Sequence, residues 1–411
     1  MSERIRTAVI YPLPVPYHHR LFELIAADAS VELTVFFCRR THAGREWAST
    51  ELRYPHRFLP NYGLAIQRRD MFTMHFNPSI VAELRRGRFN VIVINGLNHP
   101  TMQLAMAYAL IAKMPYVVWN ESHHMRPDHW SPWYIQLLKR TLYRPLLSRS
   151  AGCMVTGRRA RDYFVSYGGR ADRAFVVANT TDVPALAESV KGARLEADRL
   201  KQELGMSGKR IILYVGRLVG VKGLGYLMDA FAMVCRARQD TALVLVGGGP
   251  LRSELEASCR KHGLRNVVFV GFKQPAELPP YYALADVFVL PSLYETWGTV
   301  VNEALAAGLP VVVTRTVGAA GDLVRQGENG YIVPEADSEA LARALVSLIQ
   351  DEVTRKRMAQ RSQEVVSSWT HEASARMFAK AVWTVCTDAR AARGETDRKN
   401  ERLANTNRTC I

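Results

Sequence analysis

Short runs of apolar, mostly β-branched residues recur along this chain, with room for one amphipathic helix between successive runs. In the first half they fall at residues 7–11, 31–37, 90–94, 116–119, 152–156 and 174–178. Several are apolar throughout, as strands must be when both faces of a sheet are covered. Helical patterns lie between them at 19–29, 78–86, 102–113 and 135–147. A second series follows residue 208. Its strands are expected at 210–215, 242–246, 266–270, 287–290, 310–313 and 330–333, and its helices at 224–236, 250–262, 299–307 and 338–350. Strand–helix alternation of this kind builds a doubly wound, Rossmann-like α/β domain, and this chain carries the pattern twice.

The length of 411 residues fits two such cores. The expected division is a first domain over 1–182, a polar linker over 183–208 and a second domain over 209–368. A helix over 369–390 is expected to pack back on the first domain. The polar tail 391–411 is expected to lack fixed structure. Hydrophobic residues at 48% and charged residues at 22% are globular proportions. No apolar run reaches the ~20 residues that span a bilayer. The first residues lack the apolar stretch of a signal peptide, so a cytoplasmic protein is expected. None of Cys38, Cys153, Cys235, Cys259, Cys386 and Cys410 forms a C-x-x-C pair. That spacing argues against a zinc site or a disulfide framework.

Two open sheets in one chain meet at a cleft, and ligands bind at the carboxyl ends of their strands. The segment LPSLYETWGTVVNEALAAG (290–308) lies at such an end. Glu295 falls in a loop and Glu303 on the following helix, so the two carboxylates face neighbouring parts of one ligand. Gly298 allows close approach at the helix start. There the N–H groups of Gly298, Thr299 and Val300 and the helix dipole favour an anion. The segment YVGRLVGVKGLG (214–225) places Arg217 and Lys222 on a strand–loop–helix corner. Two cations there can hold a diphosphate and stabilise charge on a leaving group, as a metal ion does elsewhere. Gly216, Gly220 and Gly223 are read as keeping this loop open and flexible. The pattern is not a P-loop, since Leu224 follows the Lys-Gly pair. VGGGP (246–250), with Gly248 at its centre, is a tight turn able to approach a phosphate or base. In VGFKQ (270–274) Phe272 can stack on a base and Lys273 can reach its edge.

These segments together resemble glycosyltransferase family 4, retaining enzymes of the GT-B fold, in which two Rossmann-like domains face across a cleft. The resemblance rests on GRLVGVKG, VGGGP, VGF, the LPS before Glu295, E-x7-E, AAGLPVVVT and GENGYIVP, in order from about residue 210 to 334. The N-terminal half matches more weakly. The resemblance implies that Glu295 contacts the transferred sugar and Glu303 the donor ribose, while Arg217 and Lys222 hold the diphosphate. It implies a nucleotide-sugar donor and no metal or other cofactor. His123, in WNESHHM (119–125), corresponds to a histidine near the reacting sugar, with Glu121 and His124 beside it. Many relatives carry a Gly-rich loop after the first strand. Here it reads PLPVPYHHR, which leaves His18, His19 or Arg20 as replacement contacts to the acceptor.

The expected activity is a retaining transfer of a hexosyl or N-acetylhexosaminyl group, UDP- or GDP-linked, to a glycan or lipid-linked acceptor; natural-product glycosylation is the alternative context. A same-face substitution is expected, with the leaving diphosphate taking the acceptor's proton; Glu121 is the carboxylate that a double displacement would use. A phosphorylase would instead need a cofactor lysine or phosphate site. A non-catalytic sugar-nucleotide-binding protein would not need Glu295, Glu303, Arg217 and Lys222 together. The net charge is +16. Basic residues between Arg126 and Arg161 alternate with Trp130, Trp133, Tyr134, Leu137, Leu138, Leu142 and Tyr143, a composition suited to peripheral contact with an anionic membrane. No nucleic-acid-binding module is present in the sequence, so nucleic acid is not an expected partner.

Overall fold

The computed structural model describes residues 4–40, 51–63, 65–66, 72–124 and 133–408. The first half forms β1 (Ile5–Tyr11), β2 (Val31–Phe37), β3 (His56–Phe58), β4 (Ala65–Ile66), β5 (Phe72–Thr73), β6 (Val91–Asn95), β7 (Tyr116–Asn120), β8 (Gly152–Val155) and β9 (Ala174–Val176). β4 and β5 make a small antiparallel hairpin; the rest form one parallel sheet in the order β3-β2-β1-β6-β7-β8-β9. Alternate residues of β1 serve opposite cores, as the two-residue strand period requires. Val9 and Tyr11 pack with Phe22 and Trp119, while Ala8 and Ile10 pack with Met102 and Phe164.

The second half forms β10 (Arg210–Val215), β11 (Thr241–Val246), β12 (Val267–Gly271), β13 (Val287–Leu290), β14 (Val311–Thr314) and β15 (Gly330–Val333). This sheet is parallel, in the order β12-β11-β10-β13-β14-β15. The strand order reverses between β1 and β6 in the first sheet and between β10 and β13 in the second. The crevice at each reversal opens at the carboxyl ends of those strands.

The linker is not a free segment. It forms helices Val183–Gly192 and Arg194–Glu203, whose Val183, Val190 and Ala197 join the second domain's core. Their charged residues lie on the opposite, solvated side, which is why the stretch reads as polar. The tail departs from expectation, since one helix runs from His371 to Arg408. Its first part packs on the first sheet, and Phe378, fully buried, lies 6.2 Å from Trp119 between ring centroids. Losing such an aromatic costs ~3–5 kcal/mol. That is a sizeable part of the 5–15 kcal/mol that holds a typical domain folded, so the C-terminal helix belongs to the first domain's core.

The chain therefore crosses between domains twice. The crossings are tied where Thr180 donates its hydroxyl hydrogen to the Trp369 carbonyl at 2.5 Å and Ser374 donates to the Ala178 carbonyl at 3.2 Å. A second tie lies at the β8 end. The Arg158 backbone N–H and Nε donate to the two carboxylate oxygens of Asp322 at 2.8 and 2.6 Å, and Arg159 donates to the Val317 carbonyl at 2.9 Å.

Candidate active site

The second sheet's reversal sets two loops side by side. The Arg217–Lys222 loop leaves β10 and the loop carrying Glu295 leaves β13. At Gly223 the backbone is left-handed, with φ 65°, and a Cβ there would stand 2.2 Å from the Pro291 carbonyl oxygen. Only glycine lets the loops close to this distance. Leu293 N–H then donates to the Val221 carbonyl at 2.8 Å. The consequence is that Lys222 Nζ bonds directly to Glu295 Oε2, with both side chains largely buried. Gly223 thus supplies close approach, not the flexibility expected from the sequence.

The Glu295 backbone is held from three sides. Its N–H donates to the Thr316 carbonyl at 3.2 Å, and its carbonyl accepts from Gly318 N–H at 2.9 Å and from His123 Nε2 at 2.9 Å. His123 is buried, comes from the first domain and lies 4.7 Å from Tyr294 between ring centroids. Since a carbonyl only accepts, Nε2 carries the hydrogen. Burial pulls the imidazole below its ordinary value against the effect of this hydrogen bond, so the ring is neutral near pH 7.

Arg217 is exposed and makes no ion pair or side-chain hydrogen bond among the described residues. Its carbonyl accepts from the buried Tyr214 hydroxyl at 2.9 Å, so a tyrosine inside the sheet props the loop from below. Gly298 caps helix Thr299–Ala306 with φ 93°, where a Cβ would crowd Leu290 at 3.1 Å. Thr299 and Val300 open that helix and are half-buried. Glu303, one turn further, accepts from the Tyr282 hydroxyl at 2.6 Å through Oε2. Burial pushes its carboxyl up to about 7, against the lowering effect of that hydrogen bond. The arrangement offers an exposed guanidinium, an ammonium and two carboxylates along one strand-end edge. These groups suit a ligand with a diphosphate flanked by hydroxylated rings.

Residues 196–365 match the family model of glycosyl transferases group 1, and residues 6–180 match that of the glycosyl transferase 4-like domain. The chain belongs to the group 1 glycosyl transferases. Among relatives, alpha-D-kanosaminyltransferase of Streptomyces kanamyceticus is 34% identical over 42% of this chain and 46% of its own. D-inositol 3-phosphate glycosyltransferase of Corynebacterium glutamicum is 31% identical over 54% of each. The chain thus spans about half the length of the curated relatives it matches. Over nearly the full chain the GT-B architecture is shared with solved structures. Anabaena HepE in complex with UDP and glucose has TM-score 0.67 and 20% identity, covering 95% of this chain and 100% of that one. Sucrose-phosphate synthase of Thermosynechococcus elongatus has TM-score 0.71 and 21% identity, covering 94% and 100%.

Within this group 1 glycosyl transferase, the structure brings Lys222, Glu295 and His123 together at one point, with Arg217 and Glu303 on the same strand-end edge. Other expected contacts are placed differently. Gly248 turns its carbonyl to Leu218 N–H at 2.8 Å, so that turn braces the Arg217 loop. Phe272 and Lys273 follow the edge strand β12, two strands from β10 and so roughly 10 Å to the side. Lys273 pairs with Glu277 at 3.2 Å and is not a free cation. His18 is not on the acceptor surface. It is buried among Tyr11, Phe22 and Trp119, bonded through Nε2 to Asn179 at 2.9 Å, and burial pulls it down to about 3. His19 is half-buried with Nδ1 3.1 Å from the Tyr54 hydroxyl, and Arg20 pairs with Glu23 and Glu372 on the exposed side. Glu121 is half-buried in the His123 loop, and His124 bonds Ser166 at 2.7 Å. Residues 125–132, including Trp130, lie outside the described residues. In helix Trp133–Ser148 Leu137 is exposed, but Tyr143 is buried, so that aromatic packs inward and is not offered to a membrane. No helix among the described residues is long and apolar enough to cross a membrane. Tyr214, Tyr282 and the Arg158–Asp322 tie carry no local sequence pattern, and sequence reading passed over all of them.

Proposed function

We propose that this protein is a retaining glycosyltransferase that moves a hexosyl or N-acetylhexosaminyl group from a nucleotide diphosphate sugar to a glycan or lipid-linked acceptor. The observation that carries this reading is the convergence of Lys222, Glu295 and His123 from three loops of two domains, beside the exposed Arg217. Lys222 and Arg217 grip the diphosphate. Glu295, held rigidly by its backbone, faces the transferred sugar, and Glu303 takes the ribose. Without donor, Lys222 and Glu295 neutralise each other; the incoming diphosphate draws Lys222 onto itself and leaves the carboxylate for sugar hydroxyls. The acceptor oxygen then bonds to the anomeric carbon on the face from which the diphosphate departs. The departing diphosphate oxygen takes the acceptor's proton, and the two cations hold the developing charge with no metal ion. The neutral His123 stands where the reacting sugar would meet both domains. A GDP-mannose-dependent mannosyltransferase of Mycolicibacterium smegmatis, 34% identical over 37% of this chain, and the HepE complexes with UDP and UDP-glucose support a donor of this class.

A second acceptor class, a small cyclitol or aminocyclitol, is favoured by the names of the 2-deoxystreptamine glucosyltransferase and the inositol phosphate enzyme. An intracellular protein acting at the inner face of an anionic membrane suits the lipid-linked reading. The test is a thermal-shift panel of UDP, GDP and their sugar conjugates, followed by slow donor hydrolysis without acceptor, both in chelator. Stabilisation by one nucleotide series and hydrolysis of its sugar conjugate support the assignment. No shift with any nucleotide, or activity lost on chelation, contradicts it. Glu121→Gln separates the two routes to retention: same-face substitution predicts that turnover survives, and double displacement predicts that it does not.

A further inference from the structure

Glu295 has its carboxyl held by a cation, whereas Glu303 has its carboxyl held by a neutral side chain. Tyr282 sits on the short helix Pro279–Ala283, before β13, and is almost fully buried with its ring 6.3 Å from Phe288 between centroids. Its hydroxyl meets Glu303 Oε2 at 2.6 Å, a length typical of a hydroxyl donating to a carboxylate. Tyr282 is the sole hydrogen-bond partner of that carboxyl among the described residues, which leaves Oε1 without one, and Glu303 as a whole is half-buried. A long carboxylate on a helix samples several rotamers in water. Here a ring locked by packing selects one of them and occupies one oxygen.

We propose that Tyr282 is a positioning residue that makes Glu303 a discriminating reader of a vicinal diol, the 2′,3′-hydroxyls of a ribonucleotide, and so sets a preference against deoxyribonucleotide donors. This rests on the donor reading above. The aligned carboxylate accepts both hydroxyls through Oε1 and the free lone pairs of Oε2, and neither bond forms with the same geometry once the carboxyl swings. Tyr282 itself touches no ligand. Its effect is expressed only through Glu303, and therefore only on ligands that carry the diol.

The test measures dissociation constants of UDP and GDP and of their 2′-deoxy forms, on the full chain and on Tyr282→Phe, which keeps the ring and removes only the hydroxyl. The native protein is expected to favour its ribonucleotide by about tenfold over the deoxy form, the scale of one hydrogen bond to a charged group. Tyr282→Phe is expected to lose most of that preference by weakening the ribonucleotide alone. In turnover, KM for the donor rises while kcat is held. Glu303→Asp, which draws the carboxyl back from the hydroxyl, is the second variant should Tyr282→Phe fold poorly, and the same loss of preference is expected. A variant that weakens both nucleotides equally, or keeps the native ratio, overturns the role of Tyr282 and leaves the donor reading intact. Failure of the native protein to bind any of the four nucleotides overturns the donor reading itself.

Discussion

The two domains share an architecture but hold their strand-end groups in different ways. In the second domain the pinning bonds are largely main chain: Leu293 to Val221, Glu295 to Thr316, Gly318 to Glu295. The first domain's edge carries main-chain ties of its own, Cys38 to Tyr11 and Gly96 to Trp119, and sets around them a group of contacts between side chains. There His18 bonds Asn179, Tyr143 bonds Asn98, His99 packs on His75 at 4.4 Å and His124 lies against Tyr163 at 4.8 Å. A site fixed by backbone tolerates exchange of most side chains, provided the few glycines that permit the close approach remain. A site fixed by side chains changes shape with each substitution. The contrast suits a half that grips the same diphosphate in any donor, set against a half whose shape decides what receives the sugar.

Substitutions can break this contrast, and the largest effect is expected from the donor side. Lys222→Ala or Glu295→Ala should lower turnover about 10²–10³-fold, the cost of removing one preorganised charge-stabilising group, while the protein still folds at a lowered melting temperature, because the partner charge is left unpaired. Either variant retaining full activity would contradict the assignment. Next comes Gly223→Val, which touches no ligand group. Its side chain would collide with the Pro291 carbonyl, so a loss of about 2 kcal/mol in stability and a matching fall in nucleotide affinity are expected in denaturation and titration. Were affinity unchanged, backbone approach would not be what sets Lys222 against Glu295.

His123 sharpens the comparison because it is the side chain through which the first domain meets Glu295. His123→Ala should cut kcat about tenfold or more, and His123→Gln, which can still donate to the Glu295 carbonyl, should recover part of it. Donor affinity should change little in either variant, as read by titration of the nucleotide alone. The smallest effect concerns Glu303. Its carboxyl is raised to about 7 in the folded state from an ordinary 4.5. Its contribution to stability is therefore full below about pH 4.5 and is lost as pH rises through 7. Glu303→Gln should flatten that part of the stability curve, measured as melting temperature between pH 4.5 and 8; an unchanged slope would mean that another group is responsible.

Both halves of the α/β pattern could be read from apolar runs, because strands covered on both faces leave an unmistakable alternation with helices. That the segments carrying Arg217, Lys222, Glu295, Gly298 and Glu303 adjoin at strand ends could be read because these residues fall in two short stretches with fixed spacing. His18 was misplaced for a local reason. Pro16 starts the helix three residues earlier than expected, and His18, Leu21, Phe22 and Ile25 then share its buried face. The ties between Arg158 and Asp322 and between Tyr282 and Glu303 join residues far apart in sequence, and neither partner carries a pattern that names the other. The polar residues 391–408 suggested disorder, yet they continue a helix already anchored by Phe378, Val382 and Val385, which contribute burial that the tail's own composition does not show.

The central claim, that Lys222 grips a diphosphate beside Glu295, is tested most directly by calorimetric titration of the native protein and Lys222→Ala with nucleoside di- and monophosphates of one base. The account predicts that the variant loses at least tenfold in affinity for the diphosphate and almost nothing for the monophosphate. Equal losses for both ligands, or none for either, would contradict it.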